Sequence, residues 1–121
     1  MNILRTAAFA ALTTLSLSAL AAPPAKMADG VLVGPNGMTL YTFDKDSGGK
    51  SVCNGPCATN WPPLMATDAD KPEAGYTIIT RDDGKKQWAY KDKPLYYWIK
   101  DTKAGDKTGE GMAGGTWHVV K

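Results

Sequence analysis

Leu40-Tyr41-Thr42-Phe43-Asp44-Lys45-Asp46 and Leu95-Tyr96-Tyr97-Trp98-Ile99-Lys100-Asp101 say nearly the same thing. Each is an aromatic run of strand composition that ends on Lys-Asp and enters a loop rich in Gly and Lys. A tryptophan follows each at a similar distance, Trp61 after the first and Trp117 after the second. A period of about fifty-five residues reads as one small architectural unit used twice, each copy burying what the other exposes.

Working outward, the flanking signals are also β. Val31-Leu32-Val33 and Met38-Thr39-Leu40-Tyr41-Thr42-Phe43 flank Gly34-Pro35-Asn36-Gly37, a hairpin turn composition with Asn-Gly inside it. Tyr76-Thr77-Ile78-Ile79-Thr80-Arg81 and Lys86-Gln87-Trp88-Ala89-Tyr90 flank Asp82-Asp83-Gly84-Lys85 and predict a second hairpin. Trp61-Pro62-Pro63-Leu64 lacks two ladder donors at its prolines, so it reads as an edge segment or extended connector. No stretch has a sustained helical period. The expected fold is therefore mostly β: a compact antiparallel domain over 30–121, built from two related β-repeat units with long loops. Repeat one covers about 30–66 and repeat two about 76–121. Segment 22–29 reads as a mobile Pro/Ala leader with little to bury. The aromatics Tyr41, Phe43, Trp61, Trp88, Tyr96, Trp98 and Trp117 are the expected core and inter-repeat contacts.

Residues 1–21 carry the marks of an export signal rather than of fold. Arg5 supplies the positive region, 7–20 the apolar region, and Ala19-Leu20-Ala21 the small-x-small cleavage pattern. That apolar run is too short to cross a hydrocarbon core of about 30 Å as a helix. No cysteine lies near the cleavage point, so lipid attachment is not expected. A periplasmic or secreted location is expected. The 121 residues hold fourteen Lys and Arg against twelve Asp and Glu, and removing Arg5 brings the two closer still. Such a balance gives no electrostatic case for nucleic acid or an anionic membrane surface.

The doubled element is Tyr-x-aromatic-x-x-Asp: Tyr41/Phe43/Asp46 and Tyr96/Trp98/Asp101. Between the copies come Cys53-x-Gly55-x-Cys57-Ala58 and Trp61-Pro62-Pro63, and a Gly-rich loop leads to Trp117. This pattern resembles the bacterial secreted-repeat lipoprotein family defined by a Yx(FWY)xxD motif, and the resemblance covers essentially all of the chain after the leader. It implies a secreted repeat protein with no established biochemical activity. The chain departs from the family's name in lacking a lipidation cysteine, so a membrane anchor is not carried over.

Each candidate for chemistry has a plain structural reading beside it. Tyr and the aromatic two residues on share a strand face, and Asp46 and Asp101 sit where a carboxylate can accept backbone N–H groups at a loop start. An acid–base pair is the functional alternative, but repetition of both aspartates at equivalent places favours architecture. Cys53 and Cys57 read as a disulfide in an oxidising compartment, worth roughly 2 kcal/mol over so short a loop. The alternative is an accessory redox or copper-handling role for Cys53 and Cys57, with His118 as a third ligand. Against it, three residues intervene rather than two, and no helical pattern follows. His118, the one histidine, alternates with Trp117 and Val119 and so should face solvent.

Asp44-x-Asp46-x-Gly48-Gly49 has the start of a calcium loop, but an EF-hand needs Glu at its twelfth place, and Gly55 stands there. A looser ion site on loop 44–60 stays open. No nucleophile elbow and no phosphate loop before a helix is present. The expected function is thus a non-catalytic binding or interaction module without a cofactor. Its expected partner is another envelope protein or a small ligand.

Overall fold

The computed structural model describes residues 23–121. The expected export signal and its cleavage point lie outside the described residues.

Strands β1 (Lys26–Ala28) and β2 (Val31–Val33) pair antiparallel, with Ala28 opposite Val31. Asp29 and Gly30 join them, both with positive φ (51° and 83°), the geometry of a two-residue hairpin turn. Much of the segment expected to be a mobile leader is therefore structured: 26–28 form a strand and Ala25 is buried in the core. The Asp-Gly pair after Ala28 supplies the turn that brings this short, mixed sequence back onto Val31.

After β2 the chain folds back over Gly34 to Gly37, but the return ladder lasts only to Leu40, whose N–H donates to Leu32 O (3.0 Å). β3 (Tyr41–Phe43) then leaves its own hairpin for partners in repeat two. The expected pairing of 38–43 with β2 is correspondingly shorter. In repeat two, β4 (Tyr76–Thr80) and β5 (Lys86–Tyr90) form a five-residue antiparallel hairpin. Lys91 and Asp92, again with positive φ, turn β5 into β6 (Lys93–Pro94).

The two aromatic strands meet at one residue pair. Tyr41 N donates to Tyr96 O (2.8 Å), and Tyr96 N donates to Tyr41 O (3.0 Å). Around this near-twofold point each repeat finishes the other. β7 (Trp117–Val119), the tail of repeat two, pairs with β3, and Val120 O accepts Leu32 N (2.8 Å). The tail of repeat one does the same in reverse: Pro63 bridges Tyr96, Tyr97 N donates to Pro62 O (2.7 Å), and Leu64 O accepts Trp88 N (2.8 Å).

Because strand side chains alternate, Leu40 and Leu95 point to one side while Tyr41 and Tyr96 point to the other. Two cores result. One gathers Ala25, Leu32, Leu40, Leu64, Tyr76, Trp88 and Leu95; the other gathers Tyr41, Cys53, Trp61, Tyr96, Trp98 and Trp117. Trp88 thus belongs to the largely aliphatic core and not to the aromatic one. Two short turns precede the tails. α1 (Pro56–Asn60) has proline at its first turn, where a missing N–H costs nothing. α2 (Met112–Gly115) is broken by left-handed Ala113 and Gly114. The absence of helical periodicity fits elements this short, although α1 does begin three residues after Cys53 and contains Cys57.

Candidate functional site

The doubled motif is a reciprocal lock. Tyr41 Oη donates to Asp101 Oδ2 and Tyr96 Oη donates to Asp46 Oδ2, each at 2.6 Å, so each tyrosine holds the other repeat's aspartate. The second oxygen of each carboxylate fixes its own loop: Asp46 Oδ1 accepts Val52 N (2.7 Å), and Asp101 Oδ1 accepts Thr108 N (3.0 Å). Burial, followed by the carboxylate facing each phenol, pushes both tyrosines far above the ordinary range. Burial also raises Asp46, against the hydrogen bonds it accepts from Tyr96 and Val52. Both oxygens of each carboxylate are engaged inside the frame.

Above this lock lies a four-ring stack. Phe43 stacks on Trp117 (4.3 Å between centroids), Trp117 on Trp61 (3.8 Å, 2° between planes) and Trp61 on Trp98 (4.0 Å). Tyr41 and Tyr96 close it edge-on against Trp61 and Trp117. The order Phe43–Trp117–Trp61–Trp98 alternates between repeats, and each contact adds about 0.5–1.5 kcal/mol beyond plain burial. Gly109 borders the stack because a Cβ there would lie 2.8 Å from Trp61 Cη2.

Cys53 and Cys57 are joined in a disulfide with Cα atoms 5.2 Å apart, and Cys53 is fully buried. Beside them sits a side chain that sequence reasoning passed over. Arg81 is 3% exposed, and its guanidinium donates to Cys53 O (2.8 Å), Ser51 Oγ (3.0 Å), Gln87 Oε1 (2.9 Å) and Asp83 Oδ2 (3.1 Å). Ser51 in turn shares a 2.6 Å hydrogen bond with Tyr96 Oη, and Gln87 Nε2 donates to Leu95 O. A buried cation is tolerable when hydrogen-bonded this fully. The available signal was Arg81's position at the end of an alternating strand, as the one arginine outside the expected export signal.

His118 lies elsewhere, on β7, with its ring half exposed. Nδ1 is 3.0 Å from Glu110 Oε2, and Nε2 is 3.0 Å from Asp44 Oδ2. Glu110 and then Asp44 raise the histidine above its ordinary value. Glu110 is held low, first by the Val119 N–H it accepts at 2.9 Å and then by His118. The two carboxylates address opposite ring nitrogens, so they do not converge on one ion. Among the described residues no group of three or more His, Cys, Asp and Glu side chains could hold a metal. A cleft of about 820 Å³ opens beside this cluster, lined by Asp29, Lys107, Glu110, His118 and Lys121 among others.

This cluster breaks the near-symmetry. Counting from the tryptophans, His118 corresponds to Pro62 and Glu110 to Asn54; counting from the motif tyrosines, Asp44 corresponds to Ile99. The frame is shared by both repeats, whereas these three charged groups belong to one side only.

Among the described residues no helix is long and apolar enough to cross a membrane. No curated protein and no solved structure matches the chain. A family model described as a secreted repeat of unknown function matches it twice, over residues 25–65 and 77–121. The two matches fall on the two halves that exchange tails around Tyr41 and Tyr96. The chain belongs to that secreted-repeat family.

Proposed function

We propose that the protein is a non-catalytic binding or interaction module that works in the periplasm or outside the cell after loss of residues 1–21. The observation that carries this reading is the full engagement of the motif. Asp46 and Asp101 each give both oxygens to tyrosines and loop backbone, which leaves neither free to act as acid or base. Cys53, buried and bonded with its carbonyl held by Arg81, supports a structural role for the disulfide over a redox or copper-handling one. The charged cleft beside His118, with Lys107 and Lys121 on its walls, is the surface offered to a ligand or an envelope partner. Its volume lies in the range of small-molecule sites.

Photo-crosslinking in intact cells tests this. A crosslinking side chain at position 107 should give a discrete adduct, and one at position 85, on the exposed β4–β5 turn, should give none. Equal labelling at both positions, or none at 107, contradicts the reading. Thiol titration of the denatured, unreduced protein should find no free thiol, and copper should not bind stoichiometrically. One copper per chain would favour the metal-handling alternative.

A further inference from the structure

We propose that His118 is a proton-operated latch between the two repeats: closed onto both Asp44 and Glu110 when doubly protonated, and released from Asp44 when one proton leaves. A neutral imidazole carries a single N–H and an acceptor lone pair on its other nitrogen. Both nitrogens of His118 face carboxylate oxygens at 3.0 Å, and a carboxylate can only accept. The closed arrangement therefore requires imidazolium, because a neutral ring would set a lone pair against one of the two carboxylates.

The geometry also decides which contact opens. Glu110 is anchored twice, its Oε2 on Nδ1 and its Oε1 on Val119 N, on the same strand as the histidine. Asp44 has no other side-chain hydrogen bond among the described residues, although its backbone N–H stays on Thr116 O (2.8 Å). Loss of a proton thus leaves Nδ1–H on Glu110 and a bare lone pair at Nε2 facing Asp44. The Asp44 side chain swings out, and Nε2 becomes a free base at the rim of the cleft.

The charged groups around the ring come from every neighbouring element. Asp44 follows β3, Glu110 and Lys107 lie on the loop before α2, Lys121 follows β7, and Asp29 sits in the β1–β2 turn across the cleft. The lysines oppose the imidazolium while Asp44, Glu110 and Asp29 favour it. The two carboxylates at hydrogen-bond distance dominate, since the field of exposed groups falls off within about 8–10 Å at ordinary salt. The symmetry-related place, with Pro62 and Asn54 from repeat one and Ile99 from repeat two at the matching positions, has no such device.

The test is an NMR titration of the imidazole nitrogens across about pH 5 to 9, the span in which histidine changes charge. The midpoint should lie above the ordinary 6.5. The high-pH form should be the Nδ1–H tautomer, and the Asp44 amide should shift with the same midpoint. Glu110→Gln and Asp44→Asn, both at exposed positions, should each lower that midpoint. A midpoint at or below 6.5, an Nε2–H tautomer at high pH, or an Asp44 amide indifferent to the titration would overturn the latch.

Discussion

The loops after the two motif aspartates solve one problem by different means. Each must leave an aromatic strand, pass around the stack and deliver a tryptophan to its centre. Loop 44–60 does so with a disulfide and with Arg81, whose guanidinium reaches in from the β4–β5 hairpin to hold Cys53 O and Ser51. Loop 99–116 has neither. Asp106 accepts from Thr102 N and Lys103 N, Asp101 holds Thr108, and Gly109 lets the chain pass against Trp61 and Tyr41. The frame is near-symmetric because both halves share one stack and one pair of locks. The loops are free to differ because the frame needs only their endpoints fixed.

Loss of a ring from the stack should have the largest effect. Trp61→Ala and Trp117→Ala remove equivalent central rings, 5% and 1% exposed, and each should cost about 3–5 kcal/mol. Denaturant unfolding should give the two variants similar losses. A loss at one position only would mean that the near-twofold relation is geometric and not energetic.

Next come the locks. Tyr96→Phe takes the phenol donor from Asp46 and the phenol oxygen from the Ser51 hydroxyl, whereas Tyr41→Phe takes the phenol donor from Asp101 and the acceptor from the Gly109 N–H. Each should cost about 1–3 kcal/mol, the price of leaving buried polar groups unpaired. Parallel chemical denaturation of the two variants measures both. A neutral result at Tyr96 would show that the Arg81 network supports that side by itself.

The loops sharpen the contrast further. A Cys53→Ser, Cys57→Ser double variant should still fold and lose about 2 kcal/mol, because loop 99–116 reaches Trp117 without a staple. Failure to fold would mean that loop 44–60 depends on its covalent bond in a way its counterpart does not.

The smallest effect expected is that of pH. His118 gains two carboxylates on folding, so its folded pKa is raised above 6.5. Its contribution to stability is full below the unfolded value and fades as pH rises through the higher folded one. Because the groups are exposed, the loss should be slight, and His118→Gln should remove it. Unfolding midpoints measured on either side of neutrality check the sign: stability that rises with pH over this window only when His118 is present contradicts it.

Much of this was legible in the chain. The repeat period located both aromatic strands, and two-residue alternation put Tyr41 with Phe43 and Tyr96 with Trp98 on one strand face. The β4–β5 hairpin followed from its flanking runs and its Asp-Asp-Gly turn. What escaped was non-local. The exchange of tails pairs Trp117 with Phe43 and Pro63 with Tyr96, and no local pattern encodes that choice. Strand β1 was missed because Lys-Met-Ala has weak strand character and owes its place to the Asp29-Gly30 turn. Arg81 reads as surface until Gln87, Cys53 and Ser51, 6, 28 and 30 residues away, are folded around it. His118 was read correctly as outward-facing, but its carboxylates come from 8 and 74 residues away.

Each repeat's tail completes the other repeat. Fragments 23–68 and 69–121, prepared separately and then mixed, test it most directly by amide NMR. Chains this short bury little surface and are marginal by themselves. Each fragment alone should give the narrow dispersion of an unfolded chain, and a one-to-one mixture should restore the dispersed spectrum of the whole protein. A fragment that shows native dispersion alone would contradict it, because the repeats would then be self-sufficient and the exchange of tails incidental.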